Sequence, residues 1–397
     1  MSTASLKNIL NATFRANPQF ELVLFERLSA EEREYLRELP RDPDFYGVFR
    51  PRSGPVTMKS APRDAALLYL TLREPGPLPE YVRSMFGAGC NQAVAQLVLD
   101  GIIEIECEGT FVSHVQAYQA IYEPADARAT DGLIARLSLE AIRYAQRLEV
   151  VEPMQLSSRL YFYNRTPAST RWRRMFPNRD AAAAYLGLQP GGANLRAIER
   201  NWSRVDAATA SGWLQWTARK TTERRSTGVG YKLYLSPKCE ALPSVFKAAA
   251  ETLARCGAAH FKIGQDLYGL LRSDKMVGYF PDFELLENAA AQLARLLDGC
   301  PPHGVPFTAE LAGGGLLSWG VDPPVEEQSF GSQARESWRL WVTNRLATAL
   351  LACKASPVSA VEPWQFALER LRLEDIDTDT WTPATFIWRK ESVARTP

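Results

Sequence analysis

The stretch Gly230-Tyr-Lys-Leu-Tyr-Leu-Ser236 decides the fold, because its polar and apolar residues alternate as they do in a half-buried β-strand. Side chains two positions apart lie on the same face of a strand. Lys232 and Tyr234 therefore share one face, and Leu233 and Leu235 share the other. The leucines predict a face that packs on a core, and the polar pair predicts the face that meets water or a ligand.

Two later segments repeat this alternation, so that three successive strands each offer a cation beside a group that can exchange a proton. The segments are His260-Phe-Lys-Ile263 and Lys275-Met-Val-Gly-Tyr-Phe280. On the shared face they place His260 with Lys262, and Lys275 with Tyr279, and Arg272 comes just before the last strand. Such a face is typical of a functional site but also of a solvated antiparallel sheet, and spacing alone leaves both open.

Outward from these strands, the sequence predicts an α+β fold with a mixed or antiparallel sheet and helices on one side. Segments 212–219 and 230–236 are expected to form a long hairpin around the polar loop 220–229. Apolar periodicity predicts helices near residues 138–148, 242–256, 283–297, 333–353 and 361–371. Ser138 is the expected N-cap of the first of these helices.

The polar, small-residue segment 123–132 is the expected domain boundary. It separates a domain over residues 1–123 from a larger one over residues 133–397. In the first domain a helix is expected over residues 22–39, and two short helices near 78–99 precede a hairpin at 101–113. A helix, a second helix and a β-wing are the pattern of a winged-helix domain.

Two short strands are also expected at 45–50 and 56–59, ahead of three helices. That succession resembles the small PqqD-like domain that recognises leader peptides in ribosomal peptide biosynthesis, and a capping domain without a ligand of its own is equally open. DNA binding is disfavoured, because the predicted wing carries Glu104, Glu106 and Glu108, which would repel phosphates. Residues 1–130 hold 13 basic against 17 acidic side chains, whereas the rest of the chain holds 33 against 28. The balance mildly favours an anionic substrate in the larger domain.

Composition places the 397-residue chain among ordinary globular proteins, with 46% hydrophobic and 23% charged residues. Ten Trp, 14 Tyr and 17 Phe exclude disorder as the main state. The sequence has no uncharged stretch long enough to predict a membrane span. The six cysteines are scattered without a CxxC motif or a Cys/His cluster, so we expect reduced cysteines, no metal site and a cytoplasmic location.

The polar strands resemble the core of the phosphothreonine lyases, a family that includes type III secreted effectors and the lyase domains of lanthipeptide synthetases. The family pattern is a K-x-H strand, a second lysine about thirty residues on, then an arginine and a strand that carries a tyrosine. In this sequence the matching positions are Lys232, Lys262, Arg272 and Tyr279.

The wider context resembles the HopA-type effector family over about residues 135–390. The segments that carry this resemblance are Leu160-Tyr-Phe-Tyr-Asn-Arg-Thr-Pro167, His303-Gly-Val-Pro-Phe-Thr-Ala-Glu310 and Leu316-Leu-Ser-Trp-Gly320. Relatives of that family act as stand-alone lyases beside a separate kinase in class V lanthipeptide and thioamitide clusters.

The resemblance implies a phosphoserine/phosphothreonine lyase that converts a kinase-phosphorylated precursor peptide to dehydroalanine or dehydrobutyrine. Lys262 would be the base that removes the α-proton. Lys232 or Tyr279 would stabilise the negative charge that develops on the adjacent carbonyl oxygen. Arg272 would hold the phosphate, with Lys275 as a point charge. No metal or cofactor is implied. The implied partners are the precursor peptide, a separate Ser/Thr kinase-like protein and, as an option, a cyclase, with neither nucleic acid nor membrane.

Two departures from the family pattern leave roles open. Tyr234 stands where the family has the histidine that acts as general acid, and His260 is the alternative acid. Ser318 and Trp319 stand where synthetase domains tend to carry a second phosphate arginine. Replacement cations are available at Arg171, Arg173, Arg219, Arg224 and Arg225, with Asn164 and Arg165 as weaker candidates.

Two other function classes stay open. A degenerate lyase fold could serve as a phosphopeptide-binding or leader-binding scaffold for a partner enzyme, because the family histidine is missing. A secreted effector acting on host kinases is the second alternative, although the acidic first domain favours a biosynthetic role.

Overall fold

The computed structural model describes residues 5–37, 39–52, 58–123, 131–205, 212–219, 230–323, 336–356 and 361–384. The chain divides into two compact units. Unit 1 comprises residues 1–129, 325–335 and 345–374, and unit 2 comprises residues 130–324, 336–344 and 375–397. These units differ from the expected domains at the C-terminal end, where residues 345–374 group with unit 1. Most of the expected boundary, 124–130, lies outside the described residues.

The helices of the described part of the chain range from single turns to a helix of 18 residues. In chain order they are α1 (Ala30–Tyr35), α2 (Arg63–Thr71), α3 (Glu80–Phe86), α4 (Cys90–Leu99), α5 (Tyr118–Ile121), α6 (Leu133–Ala145), α7 (Pro153–Tyr161), α8 (Thr170–Met175), α9 (Arg179–Tyr185), α10 (Ala193–Glu199), α11 (Leu242–Arg255), α12 (Leu267–Leu270), α13 (Phe283–Leu296), α14 (Trp338–Ala355) and α15 (Pro363–Arg372). Across the described residues, no helix combines the length and apolarity needed to cross a membrane.

Within the described residues, the strands belong to four antiparallel sheets. In chain order they are β1 (Thr13–Ala16), β2 (Phe20–Val23), β3 (Phe45–Pro51), β4 (Lys59–Pro62), β5 (Gly76–Pro77), β6 (Ile103–Cys107), β7 (Thr110–Val112), β8 (Trp202–Val205), β9 (Trp213–Ala218), β10 (Gly230–Leu235), β11 (His260–Gly264), β12 (Met276–Phe280), β13 (Ala309–Ala312), β14 (Leu317–Asp322), β15 (Ile376–Asp377) and β16 (Thr382–Pro383). The chain is therefore α+β, as the sequence predicts.

Unit 1 holds a four-stranded sheet in the order β5-β1-β6-β7 and a three-stranded sheet in the order β2-β3-β4. The predicted helix over residues 22–39 is wrong: β2 ends at Val23, and α1 starts only after Ser29, whose side chain forms a capping box with Glu32. The predicted succession of two helices and a hairpin is present as α3, α4, β6 and β7. The winged-helix assignment of this region stays a prediction.

Unit 2 is built on a seven-stranded sheet in the order β13-β14-β10-β12-β11-β9-β8. The predicted hairpin of β9 with β10 is wrong, because β12 and β11 lie between them. β10 is buried over its last four residues, and it pairs with β12 on one side and β14 on the other. The loop 220–229 lies outside the described residues.

One face of the seven-stranded sheet carries the hydrophobic core of unit 2. Leu233, Phe261 and Met276 point into this core, where they cluster with Phe246 of α11 and Leu286 of α13. The prediction that the leucines of β10 pack on a hydrophobic core is thus confirmed. Helix α14 lies on the opposite face of the sheet. Its Trp338 ring packs so closely against Gly320 of β14 that a Cβ atom added there would clash with the ring. The expectation of helices on one side alone is therefore wrong.

The start of α6 also differs from the prediction. The helix begins at Leu133, so Ser138 lies inside it rather than at its N-cap. The buried Ser138 hydroxyl donates to Ile134 O at 2.8 Å and accepts from Phe307 N at 2.8 Å. Glu310 of β13 accepts a long hydrogen bond from Ile134 N at 3.5 Å, so this carboxylate contacts the first turn of α6.

Candidate active site

The register of the large sheet brings four of the predicted polar residues together on the face opposite the core. Tyr279 of β12 lies directly between Lys232 of β10 and His260 of β11. Lys262 lies two residues further along β11, beside Val277. These side chains therefore form one continuous polar patch across three neighbouring strands.

Lys262 is a partly buried amine that lies against aromatic rings. Its Nζ atom lies 4.4 Å from the ring centroid of Trp213 and 5.5 Å from that of Tyr279. Within the described segments, Nζ forms neither a hydrogen bond nor an ion pair. Burial and the positive charge of Lys232 lower the pKa of Lys262 to about 8. A substantial fraction of this lysine is therefore the neutral amine in mildly basic solution.

Lys232 differs from Lys262 because it has a carboxylate partner. Its Nζ atom lies 2.6 Å from Asp322 Oδ2 of β14, and its side chain is 7% exposed. The same Nζ atom lies 5.2 Å from the centroid of the Tyr279 ring. The two lysines thus lie on either side of one tyrosine ring, one of them with a carboxylate and the other without.

The two candidates for the general acid have opposite surroundings. Tyr234 is 3% exposed and packs against Val277 and Val305. Burial and the negative charge of Asp322 raise the pKa of Tyr234 well above its ordinary value. His260 is exposed, and its Nδ1 atom lies 3.2 Å from Thr217 Oγ1. The raised pKa makes Tyr234 a poor proton donor, whereas His260 is accessible.

Arg272 is held by a buried polar network beside Lys262. Its guanidinium donates to both carboxylate oxygens of Asp274, at 2.7 and 2.8 Å. Arg339 of α14 contacts the same carboxylate at 2.9 Å, and Tyr161 of α7 accepts from Arg272 at 3.1 Å. Burial opposes the charge on Arg272, but Asp274 outweighs burial and raises the pKa of this arginine. One carboxylate thus faces two guanidinium groups, and the network keeps an excess positive charge.

Arg165 brings a further cation next to Arg272. The two guanidinium groups lie 5.7 and 5.4 Å from the centroid of the same Phe162 ring. Arg165 Nη2 also donates to Tyr268 O at 2.6 Å. Burial and the positive charge of Arg272 lower the pKa of Arg165. Of the described replacement cations that the sequence offers, Arg165 is therefore the one that lies beside Arg272.

The structure places the other replacement candidates elsewhere. Each of the three described arginines contacts a surface group: Arg171 lies 3.9 Å from Glu240, Arg173 donates to Ala168 O, and Arg219 donates to Glu199 O. Asn164 donates its side-chain amide to two backbone carbonyls, and Glu310 contacts α6 rather than a site lysine. Arg224 and Arg225 lie outside the described residues.

Lys275 does not lie with the other cations of the site. It is fully buried, and its Nζ atom lies 2.8 Å from both Pro237 O and His303 Nδ1. Burial lowers the pKa of Lys275 to about 7. A phosphate on a peptide cannot reach this amine in the present arrangement, so the expected role of Lys275 as a phosphate contact does not fit its position.

Sequence reasoning missed several residues that shape the site. Asp322, Asp274 and Arg339 supply the ionic partners, and Trp213 and Tyr161 supply aromatic walls. Asp274 follows Arg272 by two positions, and that spacing was a usable signal. Arg339 and Trp213 come from elements whose approach to this face only the folded chain reveals.

The site is rich in positively charged side chains. Five cations and two carboxylates surround it: Lys232, Lys262, Arg165, Arg272, Arg339, Asp274 and Asp322. Across the described part of the chain, no group of three or more His, Cys, Asp or Glu side chains is placed to hold a metal ion. The arrangement can bind a multiply charged anion and can offer a neutral amine next to it.

Known structures of similar shape are distant. An effector protein from Pseudomonas syringae pv. tomato strain DC3000 is 12% identical, with a TM-score of 0.40 over 62% of this chain and 97% of that chain. An effector protein from Pseudomonas syringae pv. syringae strain 61 is 14% identical, with a TM-score of 0.38 over 64% of this chain and 98% of that chain. The type III effector/phosphothreonine lyase OspF from Shigella flexneri is 12% identical, with a TM-score of 0.27 over 38% of this chain and 88% of that chain. No protein-family model matches this chain, and no curated protein matches it.

Proposed function

We propose that this protein is a phosphoserine/phosphothreonine lyase that removes phosphate from a peptide by β-elimination. The observation that carries the proposal is the position of Lys262. It is an amine with a pKa lowered to about 8, its Nζ atom lies near two aromatic rings and makes no ion pair with a carboxylate of the described residues, and Arg272 contributes to its electrostatic surroundings. A base and an anion site in such proximity suit the removal of a proton next to a carbon that bears phosphate.

In the proposed step, the neutral Lys262 amine takes the α-proton of the phosphorylated residue. The electron pair of the Cα–H bond becomes the second bond between Cα and Cβ, and the bond from Cβ to the phosphate oxygen breaks. Phosphate leaves with the electron pair of the broken Cβ–O bond, and the peptide keeps dehydroalanine or dehydrobutyrine. Negative charge develops on the adjacent carbonyl oxygen during proton removal, and Lys232 or Tyr279 would stabilise it.

The phosphate would bind between Arg272 and Arg165. A phosphorylated side chain carries close to two negative charges at neutral pH. Arg272 is 17% exposed while it remains bound to Asp274, and Arg165 is partly exposed beside the same Phe162 ring. Paired guanidinium groups match the geometry of phosphate oxygens. His260 would donate a proton to the leaving group, because Tyr234 is buried and its pKa is raised.

The substrate in this proposal is a precursor peptide that a separate Ser/Thr kinase-like protein has phosphorylated, as in lanthipeptide-type maturation. Residues 1–123 would recognise the leader segment of that peptide, and a cyclase is the proposed downstream partner. This part of the proposal rests on the family resemblance and on the pattern of two helices and a hairpin in residues 78–113.

The proposal is tested by mass spectrometry of a phosphothreonine peptide incubated with the purified full-length protein. We expect loss of the whole phosphoric acid with the protein and no loss with Lys262→Ala. Arg219→Ala, which changes an exposed arginine outside the site, is the matched control and should retain activity. Loss of phosphate with the hydroxyl retained would indicate a phosphatase and would refute the assignment of Lys262.

A second candidate function is that of a phosphopeptide-binding scaffold. The observation that favours it is the burial of Tyr234 at the position where the family carries its general acid. A scaffold would bind a leader-bearing phosphopeptide without changing its mass. Binding without turnover, measured with the same peptide at several pH values, would select this function over the lyase.

A further inference from the structure

Lys275 is a buried amine that the proposed chemistry does not use. It is 0% exposed, and within the described residues its Nζ atom has no carboxylate partner. Burial of an amine that lacks an opposite charge is costly, and the two contacts that the amine keeps indicate what it holds in place. These contacts are Pro237 O and His303 Nδ1, each at 2.8 Å.

His303 connects Lys275 to a turn that carries a phosphate-site residue. Burial and the positive charge of Lys275 lower the pKa of His303 to about 3, so its ring is neutral. When Nδ1 accepts from Lys275, the ring proton lies on Nε2, which is 3.5 Å from Thr166 Oγ1. The backbone of the same histidine is held too, because Asn164 Nδ2 donates to His303 O at 2.9 Å and to Gly304 O at 3.0 Å.

The turn formed by Asn164, Arg165 and Thr166 is held on both sides of Arg165. Asn164 has a left-handed backbone conformation, with φ of 63°. Thr166 N donates to Leu271 O at 3.0 Å, so the turn is attached to the residue that precedes Arg272. The side chain of Arg165 leaves this turn toward the Phe162 ring that Arg272 also contacts.

We propose that Lys275 and His303 are positioning residues for Arg165: together they fix the 164–166 turn so that its guanidinium group lies beside that of Arg272. This inference rests on the proposed function, in which those two arginines bind the substrate phosphate. It assigns to Lys275 an indirect role in phosphate recognition, at a distance from the phosphate itself.

Such support is needed because the two guanidinium groups repel each other before phosphate arrives. The lowered pKa of Arg165 reflects that repulsion together with burial. A free turn would let Arg165 swing into water, and phosphate binding would then have to order it again. A turn that is fixed in advance keeps both arginines in place at no further entropic cost when the substrate binds.

The test is a double-mutant cycle on peptide affinity. Binding of a phosphothreonine peptide is measured by calorimetry in the Lys262→Ala background, so that no turnover occurs. We expect Arg165→Ala to weaken binding about tenfold, in line with the loss of one charge-assisted contact. Lys275→Met should weaken binding by a similar factor, and the double variant should bind no more weakly than Arg165→Ala alone.

Two milder variants keep the test decisive if Lys275→Met does not fold. Thr166→Val removes only the hydroxyl that faces His303, and His303→Asn retains an amide group near the position of Nδ1. We expect both to weaken peptide binding in the presence of Arg165 and neither to do so once Arg165 is alanine. Arg171→Ala, at an exposed ion pair, is the control and should bind normally.

Additive effects of Lys275 and Arg165, or unchanged binding in a folded Lys275 variant, would overturn the inference. Failure of the proposed function has a different signature, because Arg272→Ala would then leave phosphopeptide affinity unchanged. If Arg272→Ala and Arg165→Ala weaken binding while the variants of Lys275, His303 and Thr166 do not, the phosphate site stands and only the positioning role is wrong.

Discussion

Lys232 and Asp322 form an ion pair of 2.6 Å across neighbouring strands, whereas Lys262 on the far side of Tyr279 has no such partner in the described chain. The pair separates the roles of two lysines that look alike in the sequence. A lysine bound to a carboxylate is suited to remain a cation, and a lysine between aromatic rings is suited to lose its proton. This difference is the basis for choosing Lys262 as the base.

The first prediction concerns the pH dependence of the reaction. The base must be neutral, and the pKa of Lys262 is about 8. Below that pH the lysine is protonated, so in a His260→Ala variant, which lacks the proposed acid, kcat/KM should rise about tenfold per pH unit up to pH 8 and level off above it. Steady-state rates on a phosphothreonine peptide between pH 6.5 and 9.5 measure this. A rate that falls over the same range would contradict a lysine base.

The second prediction uses Asp322 to move that profile. The negative charge of Asp322 raises the pKa of Lys262, so Asp322→Asn should lower it and shift the rising limb to lower pH. The charge of Lys232 would then be uncompensated, which acts in the same direction. The measurement is the pH profile of kcat/KM for Asp322→Asn beside its parent, both in the His260→Ala background. An unshifted limb would show that the titrating group is not Lys262.

The third prediction distinguishes the two candidate acids. His260→Ala should reduce kcat about 100-fold, at the lower end of what general-acid catalysis contributes. Tyr234→Phe should cost less than about tenfold, because burial keeps that hydroxyl from giving up its proton. Single-turnover rates on a phosphothreonine peptide compare the two variants. Unchanged turnover in His260→Ala would remove His260 from the acid role, and a larger loss in Tyr234→Phe would assign it to the tyrosine.

The fourth prediction concerns stability. Asp274 is buried and is the carboxylate that both Arg272 and Arg339 contact. Asp274→Asn leaves two guanidinium groups without that charge and should lower the free energy of unfolding by about 3–5 kcal/mol. Glu251→Gln, at the exposed Lys247 pair, is the control and should change it by less than about 0.5 kcal/mol. Urea unfolding followed by circular dichroism compares the two variants.

The alternation in β10, β11 and β12 predicted which side chains share a face, because each strand is half-buried and its period is two. It failed for the hairpin of β9 with β10, since alternation does not encode which strands become neighbours. It also misplaced Lys275, which has the periodicity of the polar face but is covered by the segment that carries His303. Asp322 and Arg339 escaped notice because their roles depend on tertiary contacts from distant segments.

The order of strands in the large sheet also governs when the site can exist. β10 has β12 and β14 as its neighbours, and both follow it in the chain. Pairings between distant segments form slowly, because the intervening loops must close first. While the protein is being synthesised, Lys232 emerges well before Asp322, so the nascent chain has neither the ion pair nor a completed sheet. A chain that ends before β14 should therefore be inactive and prone to aggregation, because the complete site cannot assemble until Asp322 has been synthesised.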